Sequence, residues 1–184
     1  MTAFVPPVAN VKDSDYFRDI MYIGLLSDTH GVFSKEFREF LEPVDQIWHA
    51  GDFGGGLRTS EEIAAFKPLL GVYGNCDDQS LRFDHPHHRF FECGGKTVLM
   101  MHIGGYPRHY DPAARRLVQI LRPDIFVCGH SHILKVVNDP EYNMLVINPG
   151  AAGIQGFHLV RTALRFHIDD GNIHDMEVFE LPRQ

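Results

Sequence analysis

Residues 21–30 read MYIGLLSDTH: the apolar run Tyr22–Leu26 is followed directly by the polar cluster Ser27–His30. A short apolar run that ends in a polar turn is typical of a strand buried on both faces of a sheet. Amphipathic stretches separate several such runs, and strands that alternate with helices indicate an α/β fold. The other runs lie at Gln46–Ala50, Leu69–Tyr73, Thr97–Met101, Ile125–Cys128 and Leu145–Ile147.

The helices are predicted from their start signals. Ser34 is in position to cap a first helix. Thr59 and Glu62 have the spacing of a capping box, which predicts the start of a second helix. Asp111 followed by Pro112 predicts the cap and the first residue of a third helix.

The last quarter of the chain has a different pattern. Residues 157–168 and 173–181 are rich in strand-forming residues, and the turn sequence Asp169–Asn172 separates them as in a hairpin. The first part therefore favours parallel strands with helices, and the last part antiparallel strands. We predict two sheets that pack face to face with helices outside.

The composition is that of an ordinary folded chain. Of 184 residues, 44% are hydrophobic and 22% charged, which excludes disordered, collagen-like and coiled-coil classes. The length fits one domain, predicted as residues 21–184, with residues 1–20 as an N-terminal extension. A formal net charge of −7 provides no general basic field and argues against bulk nucleic-acid binding.

The cysteines and the apolar runs bear on the compartment. Cys76, Cys93 and Cys128 are odd in number and lack C-x-x-C spacing, which fits a reducing environment. No apolar run approaches the roughly 20 residues of a membrane span. The first 20 residues also lack the pattern of a secretory signal. We therefore expect a cytoplasmic protein without a membrane partner.

Each of the first five predicted strands ends in a polar cluster. Any one cluster has an ordinary explanation, since an Asp can cap a helix and a lone His can pack in a core. Their order is more informative, because successive clusters lie 23 to 28 residues apart, about one strand–helix unit. Parallel strands would bring all five to one sheet edge, where α/β folds bind ligands. The clusters are Ser27-Asp28-Thr29-His30, Gly51-Asp52, Gly74-Asn75-Cys76-Asp77, His102 and Gly129-His130-Ser131-His132.

The candidate ligands in these clusters offer only oxygen and nitrogen atoms. They are Asp28, His30, Asp52, Asn75, His102, His130 and His132. Such donors suit Mn, Fe, Zn or Ni, and their number exceeds the need of one tetrahedral ion. We predict two divalent ions, manganese foremost, that share a bridging carboxylate. Two ions about 4 Å apart lower the pKa of a bridging water and supply the hydroxide for in-line attack on a phosphate ester.

The motif order D-x-H, G-D, G-N-C-D, H and G-H-S-H resembles the calcineurin-like metallophosphoesterase superfamily, closest to its small single-domain bacterial and archaeal phosphodiesterase branch. The resemblance covers about Met21 to Ile173. It implies a four-layer αββα sandwich, in which helices flank two stacked mixed sheets. The resemblance implies that one metal is bound by Asp28, His30 and His132. The other metal is implied to be bound by Asn75, His102 and His130. Asp52 is implied to bridge the two metals.

Two positions depart from the larger superfamily. Cys76 stands where that superfamily has a His that protonates the leaving group, and a thiol of pKa about 8.5 suits that task poorly. The small phosphodiesterase branch shares this Cys, and its activity is typically on diesters with good leaving groups. Ile103-Gly104-Gly105 stands where many relatives have Gly and a second His. Arg108 and His109 are candidates to replace that contact, with solvated loop residues as the equal alternative.

The predicted roles follow from these assignments. Catalytic roles are predicted for Asn75, Asp52 and His109, and substrate contacts for Asn75, Arg108 and His109. Outside the site, His85-Pro86-His87-His88 is predicted to be a solvated loop, and His49 a packed residue beside the site. Asn148-Pro149-Gly150 resembles a loop that closes the site by turn geometry.

The leading hypothesis is a metal-dependent phosphoesterase that hydrolyses phosphodiesters, with nucleotide-like small molecules as candidate substrates. One alternative is a phosphomonoesterase or nucleotidase of the same fold. Another is a non-catalytic interaction scaffold, as in the retromer subunit that resembles this branch. Bound metal is the predicted discriminator between enzyme and scaffold. The sequence leaves a homo-oligomer open.

Overall fold

The computed structural model describes residues 20–183, so the predicted N-terminal extension lies outside the described residues except for Ile20. The helices are α1 (Lys35–Leu41), α2 (Leu57–Phe66), α3 (Gln79–Asp84) and α4 (Pro112–Leu121). The strands are β1 (Met21–Leu26), β2 (Gln46–His49), β3 (Leu69–Gly71), β4 (His88–Cys93), β5 (Lys96–Met101), β6 (Gly105–Tyr106), β7 (His109–Tyr110), β8 (Ile125–Val127), β9 (Leu134–Asp139), β10 (Met144–Pro149), β11 (Val160–Asp169) and β12 (Asn172–Pro182). No helix in this range is long and apolar enough to cross a membrane.

The strands form two five-stranded sheets and a small hairpin. The first sheet has the order β12-β11-β1-β2-β3, and the second β4-β5-β8-β10-β9. Each sheet contains three parallel strands. In the first sheet the antiparallel strands β11 and β12 lie on one side of them, and in the second sheet antiparallel strands lie on both sides. The expectation that the five cluster-bearing strands lie side by side was wrong, because β1, β2 and β3 belong to one sheet and β5 and β8 to the other. The clusters meet because both sheets end at the same side of the molecule.

The space between the sheets holds the largest apolar cluster. Ile23 and Leu25 of β1 point into it, and Val98 and Met100 of β5 approach from the second sheet. In both strands these residues alternate with others that face outward, since successive side chains of a strand point to opposite faces. All four side chains are fully buried.

Helices cover the outer faces of both sheets. Phe37 of α1 and Ile63 of α2 pack on the first sheet, where Leu26 and Ile47 lie. On the second sheet, α4 packs against β5 and β8 through an apolar cluster of its own. The architecture is a four-layer αββα sandwich, which confirms the predicted fold class.

The start of α2 differs from the prediction. The helix begins at Leu57 after Gly56, so Thr59 lies inside its first turn and does not cap it. The Gly54-Gly55-Gly56 run adopts positive φ, and the cap at Gly56 lies three residues before the cap that the capping-box pattern indicates, Thr59. At α4 the prediction is confirmed, because the Asp111 side chain accepts hydrogen bonds from the N–H groups of Ala113 and Ala114.

The antiparallel C-terminal pair is also confirmed, with β11 and β12 joined at Asp169 and Asn172. The two turn residues, Asp170 and Gly171, have φ values of 47° and 75°. Positive φ at both positions is the type I′ geometry that two-residue hairpins favour. The pair extends the first sheet beyond β1.

Candidate metal centre

The polar clusters at the strand ends share an unusual backbone conformation. Ten described non-glycine residues have positive φ, and five of them are predicted ligands. They are Asp28, His30, Asp52, His130 and His132, with φ between 46° and 67°. Such left-handed residues cost free energy and are concentrated at functional sites. The backbone therefore turns sharply at each strand end and aims these side chains at a common space.

The Asp28 carboxylate has one fixed and one free oxygen. Oδ2 accepts hydrogen bonds from Ser27 Oγ at 2.6 Å and from the His130 backbone N–H at 3.0 Å. Oδ1 is buried and has no hydrogen-bond partner among the described residues. It lies 3.1 Å from His132 Nε2 and 3.9 Å from His30 Nε2. A fully buried carboxylate oxygen with no donor is costly unless a cation compensates it.

The His102 ring, like the Asp28 carboxylate, has one polar atom that is held by a partner and one that is not. Its Nδ1 lies 2.8 Å from the Ala50 carbonyl oxygen, which can only accept, so Nδ1 carries the proton. Nε2 then presents a lone pair, and it is buried without a hydrogen-bond partner in the described part of the chain. Asp52 Oδ2 lies 3.2 Å from it, and Asp28 Oδ1 lies 3.9 Å from it. Lone pairs and two carboxylates that face one another fit a metal cation between them.

The electrostatics of Asp52 and His102 agree with this fit. Burial by itself raises the pKa of Asp52, but the facing His102 and the Cys76 N–H, which donates to Oδ1 at 2.8 Å, hold it well below its usual range. Burial by itself lowers the pKa of His102, but Asp52 and Asp28 outweigh it and the pKa is raised. The negative field that favours a proton here also attracts a divalent cation.

The ligand atoms fall into overlapping groups. One group joins Asp28, His30 and His132, and another joins Asp28, Asp52 and His102, with the ligand atoms of each group within 4.8 Å of one another. Both carboxylates are thus shared, since Asp52 also lies in a group with His30 and Cys76. The His130 ring packs edge-on against His102, with 5.3 Å between the ring centroids.

Three other predicted site residues are placed less directly. Asn75 follows the strand-end turn, but it is exposed and its amide donates to Cys76 Sγ at 3.3 Å. His109 lines a cavity of about 320 Å³ together with His130. Arg108 lines neighbouring cavities that contain none of the seven predicted ligands. The structure thus brings His109, and not Arg108, to the edge of the candidate site.

Comparison with known proteins agrees with this geometry. Residues 21–171 match the model of the calcineurin-like phosphoesterase superfamily domain. The chain belongs to this superfamily.

Individual relatives span most of the chain. It is 29% identical over 138 residues to a probable metallophosphoesterase of Methanothermobacter thermautotrophicus, covering 71% of this chain and 77% of the relative. A novel archaeal phosphodiesterase has a similar structure, with a TM-score of 0.64, 20% identity, and coverage of 88% of this chain and 100% of that one. Vps29 of Entamoeba histolytica complexed with Zn²⁺ is also similar, with a TM-score of 0.62, 17% identity, and coverage of 89% and 100%.

Glycines allow the motif loops of this superfamily member to approach one another. A Cβ atom on Gly74 would lie 2.0 Å from Asp52 Oδ1, and one on Gly129 would lie 1.9 Å from Ser27 Oγ. Any side chain at these positions would displace a ligand or the residue that holds it. The glycines that precede Asn75 and His130 are therefore required by contact between loops.

The structure adds a residue that the sequence analysis did not single out. His158, in the loop between β10 and β11, lies with Nδ1 at 3.1 Å from His132 Nδ1 and with Nε2 at 3.1 Å from the Gly153 carbonyl oxygen. Metal-binding histidines commonly donate their second N–H to a partner that fixes the ring. No motif marks His158 in the sequence, because its role depends on a loop that returns from the other sheet.

His49 was predicted to be a packed residue beside the site, and its contacts define its state. The Gly51 N–H donates to His49 Nδ1 at 3.2 Å, so Nε2 carries the proton and faces Thr29 Oγ1 at 3.0 Å. Thr29 in turn donates to the Phe53 carbonyl oxygen. Complete burial lowers the pKa of His49 well below its ordinary value. This neutral ring connects the first two motif loops.

The prediction of a solvated loop at His85–His88 was wrong at both ends, because His85 is buried and His88 is the first residue of β4. His87 and His88 are exposed, whereas His85 is buried with 6% of its surface accessible. Its ring stacks on Phe53 with 4.5 Å between centroids, and Phe53 stacks on His49 at 3.7 Å. The polar sequence pattern gives no sign of this three-ring stack, because Phe53 reaches it from another loop.

The Asn148 turn has the predicted structural character. Asn148 is buried, and its amide donates to the Gly129 carbonyl oxygen at 2.7 Å and to Ser131 Oγ at 3.1 Å. Its Oδ1 accepts from the Gly150 N–H. The side chain thus braces the loop that carries His130 and His132.

Proposed function

We propose that the protein is a phosphodiesterase that works with two divalent metal ions, manganese foremost, bound by the seven predicted ligands. The observation that carries the proposal is the pair of buried atoms without hydrogen-bond partners, Asp28 Oδ1 and His102 Nε2. Both belong to predicted ligands and lie 3.9 Å apart. Two bound ions would lower the pKa of water towards neutrality and draw charge from the phosphate.

The residues of the chain have distinct tasks in this proposal. Asp52 would supply negative charge to both ions, and Asp28 would supply it to one of them. His102 and His132 each offer Nε2, since their Nδ1 protons face a carbonyl and His158 respectively. Asn75 and His109 border the centre and are proposed to contact the phosphate and the ester group. Arg108 would reach the substrate only if its side chain turned away from its present cavities.

Cys76 supports a diester over a monoester. Burial, and then the Asp52 carboxylate, raise the pKa of its thiol to about 11. Bound metal charge would act in the opposite direction. With or without bound metal, the thiol is a weak hydrogen-bond donor. The leaving group must therefore depart without strong help from an acid. The similar archaeal fold described as a phosphodiesterase agrees with this choice.

The test compares bis(p-nitrophenyl) phosphate with p-nitrophenyl phosphate on manganese-loaded protein. We expect the diester to react at least about tenfold faster, a difference of about 1.4 kcal/mol in the barrier. Both esters release the same p-nitrophenolate, so the ratio reports whether the site accepts the second ester group and does not depend on help from an acid. Asp52→Asn, measured in parallel, reports any activity from a contaminant. A faster monoester would establish the monoesterase alternative.

The scaffold alternative draws on the similarity to Vps29 and on exposed apolar residues near the site. Phe157 and Leu159, next to His158, are 101% and 81% exposed. Metal content alone does not separate the two functions, because a similar Vps29 is itself described as a zinc complex. Turnover separates the two functions, because a scaffold would bind metal and hydrolyse neither ester.

A further inference from the structure

An apolar cavity opens directly beside the candidate metal centre. Its volume is about 320 Å³, which lies at the lower end of the range for small-ligand sites, roughly 300–1,000 Å³. His130 lines the cavity, and its ring packs against the ring of His102, a residue of the candidate metal centre, with 5.3 Å between the centroids. A group in the cavity would therefore lie next to a phosphate at the metals. Ile103, Tyr106, Tyr110 and Ile133 form apolar walls.

The segment after His102 builds one side of this cavity. A Cβ atom on Gly104 would lie 2.5 Å from Cys128 Cβ, and one on Gly105 would lie 2.2 Å from the His109 carbonyl oxygen. The glycines therefore let the segment press against β8 and fold back as the β6–β7 hairpin. Tyr110 fixes the hairpin, because its hydroxyl donates to Asp139 at 2.6 Å. The departure from the family motif at Ile103-Gly104-Gly105 thus creates a walled space.

Two polar side chains at this cavity, Lys135 and His109, are available to a ligand, whereas Asp111 and Asn148 make hydrogen bonds within the chain. Lys135 Nζ lies 3.8 Å from the centroid of the Tyr106 ring and has no hydrogen bond or ion pair within residues 20–183. The His109 ring lies 4.9 Å from Tyr106 and makes no hydrogen bond to the described residues. The Tyr106 side chain is 43% exposed. Flat apolar walls, with a cation at the rim that rests on Tyr106 and has no anionic partner in this part of the chain, suit a ring that carries hydrogen-bond acceptors.

We propose that this cavity binds a flat aromatic group of the substrate, such as an aryl ring or a nucleobase, while the phosphate occupies the metal centre. Tyr106 contacts the ring, and Lys135 pairs with its acceptor atoms. This assignment rests on the proposed function only for the position of the phosphate. In this proposal, the cavity determines which organic group the phosphate ester of the substrate can carry.

The experiment measures binding, so that it does not depend on turnover. Phenylphosphonate and methylphosphonate carry the same anionic head and differ in the group that would enter the cavity. Calorimetric titration of manganese-loaded protein gives the Kd of each. We expect phenylphosphonate to bind about tenfold more tightly, as one well-placed aromatic contact with its burial provides.

Two variants locate the preference. Tyr106→Ala should reduce the phenyl-to-methyl ratio to near one while methylphosphonate binds as before. Phe90→Ala is the matched control, since Phe90 is an aromatic residue of equal exposure, 43%, on β4 outside the cavity. Equal binding of both phosphonates by the unmodified protein, binding of neither, or a ratio that survives Tyr106→Ala would each overturn the proposal. A protein that shows the ratio but hydrolyses no ester would retain the cavity assignment and lose the proposed function.

Discussion

His132 donates its Nδ1 proton to Nδ1 of His158 across 3.1 Å. The direction is assigned from the second partner of His158: its Nε2 faces a carbonyl oxygen and must carry the proton, so its Nδ1 can only accept. Burial lowers the pKa of His158, which favours the neutral ring that this requires. His132 Nε2 is consequently left with a lone pair that points towards Asp28. A loop residue thus determines the tautomer of a predicted ligand.

His158→Phe should weaken metal binding by about 10- to 100-fold, the usual effect of losing such a partner. The ring of similar size keeps the loop packed but cannot accept the proton of His132. Chelator competition gives the affinity directly. His158→Gln, whose amide oxygen can accept, should recover part of the loss, and His88→Phe at an exposed position should have no effect. Unchanged affinity in His158→Phe would mean that His132 is oriented by other contacts.

Asp52→Asn should reduce activity more than the loss of any ligand that serves a single ion. The reason is that a bridging carboxylate neutralises both cations, whereas an amide neutralises neither. Initial rates and metal content by elemental analysis should fall together, with less than about a tenth of the activity left. His30→Ala, on one proposed ion only, provides the comparison. If Asp52→Asn retained more activity than His30→Ala, the bridge would have to be reassigned, with Asp28 as the next candidate.

Cys76→Ser should change the diester rate less than about threefold, well below the 10²–10⁴-fold that general acid catalysis contributes. The backbone N–H of residue 76, which holds Asp52 Oδ1, is retained in this variant. The measurement is the dependence of log rate on leaving-group pKa for both proteins. A dependence that becomes steeper in Cys76→Ser would show that the thiol already donates the proton.

His49 should make the metal-free protein less stable in acid. Its pKa is lowered in the folded state, so between about pH 6.5 and the folded value only the unfolded chain takes up the proton. Stability is therefore present above about pH 6.5 and falls at lower pH, with a slope of up to about 1.4 kcal/mol per pH unit from this one group. Urea unfolding of His49→Gln in a chelating buffer from pH 7.5 to 5 should show a shallower slope than the parent. The control variant His88→Gln should leave the pH dependence of stability unchanged. An unchanged slope in His49→Gln would contradict the prediction, since it would mean that the His49 ring is protonated in the folded state.

The buried strands of the two sheets were predicted better from the sequence than the edge strand β4 and the start of α2. Each of the six apolar runs forms a strand, because burial on both faces demands a continuous apolar segment. The edge strand β4 was not predicted, since its residues alternate in burial and the HPHH segment, whose last residue His88 begins the strand, indicates a loop. The start of α2 depends on three glycines whose positive φ no capping pattern reveals.

The site residues that directly follow a strand were predictable from the sequence. Ligands such as Asp28 and His130 stand at strand ends, where the motif spacing indicates their common position. His158 and His85 were missed or misplaced because their partners come from loops remote in sequence. The cavity at Tyr106 was likewise out of reach, since two glycines that look like ordinary loop residues decide its shape.

The left-handed backbone at five predicted ligands sets stability against function in one region of the molecule. Each of these residues occupies a conformation that costs roughly 1–2 kcal/mol for a side chain other than glycine. Without metal, the hydrogen bonds of Asp28 and Asp52 offset only part of this cost, and glycine at these positions would relax the backbone. A directed-evolution screen for heat resistance in a chelating medium would therefore remove the ligands first. The same screen in manganese would retain them, because bound metal stabilises only the chains that keep its ligands.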